Sequence, residues 1–168
     1  MSEEKYTQKT LAALQSAQQT AALHYHQEIT SAHLLLALVK EPEGLLQTIF
    51  DEAKVDLPML RVRLEQVLAK IPSVKGQDRL SMGVDMARVM AKADAAAREM
   101  KDDFISTEHL LLGIVSDGSE KIQAACREFG LTKAKIQGSI KKNRKQNVTS
   151  DHRSEEHTSE LQSPSWIS

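Results

Sequence analysis

Displaced by 76 residues, the chain lies on itself. Ile29-Thr30-Ser31-Ala32-His33-Leu34-Leu35-Leu36-Ala37-Leu38-Val39 falls on Ile105-Ser106-Thr107-Glu108-His109-Leu110-Leu111-Leu112-Gly113-Ile114-Val115, with six identities in eleven positions, and only Ala32/Glu108 changes character. The register continues without a gap. Leu11, Leu14, Ala17 and Ala21 meet Ala87, Met90, Ala93 and Ala97 upstream, while Leu46, Ile49, Asp56, Leu60 and Leu64 meet Ile122, Ala125, Thr132, Ile136 and Ile140 downstream. A triple Leu can recur by chance in a Leu-rich chain. A gapless match over about 60 positions marks the tandem duplication of one supersecondary unit.

The unit reads as four helices. Apolar residues recur at helical spacing in Leu11, Leu14, Ala17 and Ala21, and again in Met86, Met90, Ala93, Ala97 and Met100. The second helix starts at Thr30 or Ser31 and at Ser106 or Thr107, hydroxyl residues able to accept the free N–H groups of a first turn. Its run is apolar on nearly all sides, which predicts the buried helix of each unit. A third helix is expected over 43–53 and 119–129, the second copy closed by Gly130, and a fourth from the equivalent N-caps Asp56 and Thr132. No segment sustains period-two alternation. The expectation is an all-α fold of eight helices in two pseudo-equivalent halves, packed about an approximate two-fold axis with a groove at the junction. Repeat 1 runs over about 6–70 and repeat 2 over about 81–145 of a domain spanning 1–148. Residues 71–80 form a linker, where Pro72 and Gly76 break helix.

Composition narrows the function classes. The 168 residues carry 22 Lys+Arg against 23 Asp+Glu, a balance that argues against coating nucleic acid or an acidic membrane. A single Cys forms no internal disulfide, the acidic start Met1-Ser2-Glu3-Glu4 is unlike a signal peptide, and the longest wholly apolar run, Leu34 to Val39, is too short for a membrane span. A soluble, cytoplasmic chain is expected. No Gly is followed by Lys, so a phosphate-binding G-x-x-x-x-G-K-[ST] loop is missing, as are G-x-G-x-x-G and G-x-S-x-G. No catalytic residue, cofactor or metal is expected, and this chain by itself reads as no enzyme.

The histidines divide into two kinds. His24 and His26, two apart and without C-x-x-C or H-E-x-x-H, read as surface residues rather than metal ligands. His33 and His109 recur in the repeat, each three residues after Thr30 or Ser106. There a neutral imidazole can accept from the cap residue's own N–H, as the carboxylate of a capping-box Glu accepts from it. Cys126, opposite Phe50 in the repeat, reads as a small buried hydrophobe, and Met86, Met90 and Met100 as core. Lys133, Lys135, Lys141, Lys142, Arg144 and Lys145 form a basic stretch without interleaved aromatics, and the preferred reading is a solvated face rather than a nucleic-acid contact.

The repeat, its I-[ST]-[ST]-x-H-L-L-L core and the two-by-four helix plan resemble the Clp N-terminal repeat domain, which heads ring-forming Clp ATPases. The resemblance covers about Tyr6 to Lys145. Within that family, Ile71-Pro72-Ser73-Val74-Lys75-Gly76 and Asp103-Phe104-Ile105-Ser106-Thr107-Glu108-His109 look most like the disaggregase branch. The resemblance implies a domain that captures exposed apolar segments of unfolded or aggregated polypeptides for threading by a hexameric ring absent from this chain, the fragment itself being a monomer. It also implies three substrate-binding residues: Thr7, Asp102 and Glu108. Thr7 is also a fitting N-cap, Glu108 suits a first helical turn, and Asp103 competes with Asp102 for the assignment. The alternative is the N-domain of a protease-partnered unfoldase, or a free-standing accessory protein, whose groove receives adaptor proteins. A third class, a helical nucleic-acid binder, would rest on the basic stretch. Residues 149–152 read as the start of a linker. Residues 153–168, from Arg153 to Ser168, resemble the translation of a sequencing adapter and are set aside, the other reading being a Ser-rich disordered tail.

Overall fold

The computed structural model describes residues 5–76 and 79–147; the expected linker start at 149–152 and the tail from Arg153 lie outside the described residues. Within these limits the chain is mostly helical. Helices α1 (Gln8–Leu23), α2 (Ser31–Lys40), α3 (Leu45–Glu52) and α4 (Leu57–Ala69) make the first half, and α5 (Val84–Glu99), α6 (Thr107–Asp117), α7 (Glu120–Glu128) and α8 (Lys133–Asn147) the second.

Side-chain oxygens start most of these helices. Thr7 accepts from the Thr10 N–H at 3.2 Å, Asp56 from Met59 at 3.1 Å, Ser119 from Ile122 at 3.4 Å and Thr132 from Lys135 at 3.2 Å. Helix α3 begins later than the periodicity suggests, because Gly44 at φ +60° turns the chain into it. The ends follow the repeat as closely as the starts. Tyr25 and Lys101, and likewise Lys54 and Gly130, occupy equivalent positions with φ between 56° and 85°. In each pair the next N–H reaches back to the last turn: His26 to Ala21 O at 2.9 Å and Asp102 to Ala97 O at 2.8 Å, Val55 to Phe50 O at 3.1 Å and Leu131 to Cys126 O at 2.8 Å. Only one of the four is Gly, so three side chains accept a left-handed backbone to close their helices.

Two short strands depart from the all-helical expectation. Glu28–Ile29 (β1) pairs in parallel with Ser81–Met82 (β2), Ile29 opposite Met82. Tyr6 bridges Ile105 in the same parallel sense, and subtracting the repeat offset shows the two pairings to be the same one. Two residues are too few to leave a period-two signature. Each pairing joins the segment entering the first helix of one half to the segment entering the second helix of the other.

The helix contacts are reciprocal too. α3 packs on α8 as α7 packs on α4, α1 touches α6 as α5 touches α2, and α2 meets α6 between the halves. A single core runs through both, with Leu34, Leu35, Leu110 and Leu111 fully enclosed. Cys126 and Met86 lie in this core, Met90 is buried at its edge and Met100 packs partly against it.

Candidate functional site

The segment 102–109 carries a cluster of linked polar side chains. Ser106 caps α6, and its N–H donates to His109 Nδ1 at 2.8 Å. With Nδ1 accepting, a neutral His109 carries its proton on Nε2 and donates it to Asp102 Oδ2, 2.8 Å away. Asp102 in turn takes both guanidinium nitrogens of Arg144, at 2.8 and 2.6 Å, in a bidentate pair. Glu108, in the first turn of α6 and only 8% exposed, stands 3.5 Å from the same guanidinium. Burial works against the charge of Arg144, and Asp102 and then Glu108 more than restore it, so its pKa is raised.

Thr7 belongs to the same neighbourhood through the backbone. Its N–H donates to Ile105 O at 3.2 Å, while Ile105 N–H donates to Lys5 O at 2.6 Å. Its hydroxyl donates to Thr10 Oγ1 at 2.9 Å. Thr7, Asp102 and Glu108 are thus grouped around one loop, with Asp102 and Glu108 sharing a cation. That cation was missed in the sequence reading. Arg144 sat inside a basic stretch read as a solvated face, yet it is half-buried, and its neighbour Lys142 pairs with Glu52 at 3.3 Å. No local signal marks it, since its carboxylates lie 42 and 36 residues away in sequence.

Beside this cluster opens a cleft of about 140 Å³. Ala12, Ala13 and Ser16 of α1, Ala37 and Leu38 of α2, Glu41 just after it, and Leu46 of α3 form its walls; Thr107, at the start of α6, closes one end. Lys9 and Glu43 stand at its mouth as an exposed ion pair 3.8 Å apart. Thr7, Asp102 and Glu108 flank this cleft rather than line it, and Thr107 is the step between. The volume is well below the roughly 300–1,000 Å³ of a small-molecule site, and suits one apolar side chain of a longer ligand.

The repeat explains why the cleft is open here. In the second half, Lys9, Thr107 and Glu43 are replaced by Asp85, Ser31 and Ser119. Asp85 Oδ2 accepts from the Ser31 N–H at 3.1 Å and from its hydroxyl at 2.5 Å, and the Ser119 N–H donates to Ser31 Oγ at 3.3 Å. Those bonds tie the equivalent mouth shut. Val89 and Gly113 replace Ala13 and Ala37 and bring α5 against α6: a Cβ on Gly113 would lie 2.5 Å from the Val89 carbonyl oxygen.

The caps of the first half use a different partner. The Thr30 N–H donates to His33 Nδ1 at 2.9 Å, and His33 Nε2 meets His26 Nδ1 at 2.8 Å. His26 occupies the place of Asp102. It is 3% exposed and therefore no surface residue, contrary to the sequence reading, because the turn after α1 folds it back under α2. His24 keeps its exposure, its Nδ1 2.9 Å from Thr20 O. Among the described residues no three His, Cys, Asp or Glu side chains are grouped to hold a metal ion, and no helix is long and apolar enough to cross a membrane.

Comparison with known proteins gives a consistent result. The family model of the Clp repeat (R) N-terminal domain matches residues 5–129. A chaperone protein ClpB of Bacillus anthracis is 34% identical over 138 residues, which is 80% of this chain and 16% of the relative. The chain therefore spans about a sixth of the length of that relative. Among solved structures, the Hsp104 N-terminal domain from Candida albicans superposes with a TM-score of 0.72 at 21% identity, covering 83% of this chain and 91% of the other. A complex of a ClpV N-domain with a VipB peptide gives 0.61 at 16% identity, covering 80% and 88%.

Proposed function

This chain belongs to the Clp repeat (R) N-terminal domain family, and from that premise we propose that it is the substrate-capturing domain of a disaggregase or unfoldase. It holds exposed apolar segments of unfolded or aggregated polypeptides for an ATPase ring carried elsewhere in the parent protein. The observation that supports this most is the cleft between α1, α2 and α3, left open where its repeat equivalent is bridged by Asp85, Ser31 and Ser119. Its walls are largely Ala and Leu side chains with Ser16 and Glu41 among them, and its mouth is an exposed ion pair that moves aside at little cost, about 0–1 kcal/mol.

Apolar walls attract without directional demand, at about 25 cal/mol per Å² buried, so capture is weak and tolerant of sequence. Thr7, Asp102 and Glu108 form the polar shoulder of the cleft and keep it hydrated when empty. The complex of a ClpV N-domain of the same fold with a VipB peptide supports a peptide-recognition role.

The test uses one protein in two states: a reduced and alkylated disulfide protein that stays unfolded at neutral pH, and its native form. The chain should bind the first and ignore the second. Ala12→Glu, at an exposed helical position in the cleft wall, should keep the melting temperature and weaken that binding at least about tenfold. Equal binding of both states, or unchanged binding by Ala12→Glu, contradicts the proposal.

A further inference from the structure

The imidazoles of His24, His26 and His33 lie in a row outside the cleft, and capture makes no use of them. His24 stacks on His26 with centroids 5.3 Å apart, and His26 meets His33 at 5.0 Å with the rings tilted by 58°. Because His33 Nδ1 is taken by the Thr30 N–H, its proton sits on Nε2 and is donated to His26 Nδ1. His26 then carries its own proton on Nε2, towards the Leu68 backbone of α4. The hydrogen bonds close only when both rings are neutral. A proton added to His26 sets two N–H groups against each other at Nδ1; one added to His33 does the same against Thr30.

The surroundings oppose that proton. Burial holds His33 down at about 4, helped by His26 and His24, while the Asp85 carboxylate of α5 pulls the other way. Burial and then His24 hold His26 below its usual value, against the Leu68 backbone bond. The same place in the second half is filled by Asp102, a carboxylate that accepts from His109 and from Arg144.

The turn that carries His24 and His26 also binds the connection between the halves through its backbone carbonyls. The His24 carbonyl accepts from Ser73 Oγ at 2.8 Å, and the Tyr25 carbonyl from the Val74 N–H at 2.7 Å. Lys75 lies over the Tyr25 ring at 5.7 Å, and β1 pairs with β2. We propose that His26 and His33 form an acid-released latch on the connection between the two halves, opened by protonation while the matching Asp102–His109 arrangement stays closed. Both rings have pKa values lower in the folded than in the unfolded chain. The unfolded chain therefore takes up protons first, and the latch is whole above about pH 6.5 and lost as pH falls toward 4.

Amide hydrogen exchange on the whole chain, corrected for intrinsic rates, tests this with matched pairs. Between about pH 7.5 and about pH 5, the amides of His26, Val74, Ser81 and Gly83 should lose protection at least about tenfold. The counterparts of His26 and Gly83, Asp102 and Thr7, are bonded in the equivalent way and should keep it. His26→Asn, whose side-chain oxygen accepts from His33 without titrating, should retain protection at about pH 5. Loss in both halves together, loss in neither, or the same loss in His26→Asn overturns the latch; should the variant fold poorly, the two halves of the natural chain decide it alone.

Discussion

Asp102 satisfies two donors at once, the His109 imidazole and the Arg144 guanidinium, and so ties the loop before α6 to the end of α8. A charge-assisted bidentate pair that is part-buried is worth more than a surface ion pair. A double-mutant cycle with Asp102→Asn and Arg144→Gln should return a coupling of about 1–3 kcal/mol in the melting transition. Additivity of the two variants would show that the pair contributes nothing. Glu108 stands farther from Arg144, and Asp102 alone retains that side chain. Glu108→Ala should therefore cost only about 1 kcal/mol of stability while weakening capture of an unfolded chain; a large melting loss would mean that Glu108 serves the fold. Cys126 offers a control of a different kind. Burial pushes its thiol up to about 12, so a thiol reagent at about pH 8 should modify it only after unfolding. Rapid labelling of the folded chain would contradict the packing of α7.

At the scale of elements, the two halves solve one helix crossing in two ways. Ala13 and Ala37 both line the cleft between α1 and α2, whereas Val89 meets Gly113 across α5 and α6 at backbone distance. Gly113→Ala should destabilise by about 1–3 kcal/mol. The clash outweighs the roughly 1 kcal/mol that Ala gains over Gly in a helix. Adding Val89→Ala should not rescue it, because the nearest atom is the Val89 carbonyl; rescue would show that the side chain sets the spacing. The helices themselves could be read from periodicity, since burial of one face leaves a 3.6-residue signature, and the caps from hydroxyl and Asp positions. The paired strands could not, at two residues each. Nor could the far partner of each conserved-in-repeat imidazole, because the bond is set by where a turn places residue 26 or 102. Cleft-lining residues left only an oblique trace: Lys9/Asp85, Ala13/Val89 and Glu43/Ser119 are where the copies diverge, and there one crevice is open and the other bridged.

Over the whole molecule, each half supplies what the other needs. The segment before α1 pins the start of α6, and the segment before α5 pins the start of α2, with α3 on α8 and α7 on α4. Residues 5–76 made alone should lack a cooperative thermal transition, since about 70 residues bury little core and all four of these pairings are removed. A sharp transition in that fragment would show that the halves are independent. The same reciprocity places the cleft: α1, α2 and α3 build it from one half and Thr107 ends it from the other. The most direct test of capture there is backbone amide chemical-shift mapping of the whole chain, titrated with a short unfolded apolar peptide. Shifts should concentrate at Ala12, Ala13, Ser16, Leu38, Leu46 and Thr107, extending to Glu108, and leave the equivalent crevice at Arg88, Val89 and Lys92 unmoved. Perturbation of the second crevice instead, or spread evenly over α4 and α7, would contradict the account.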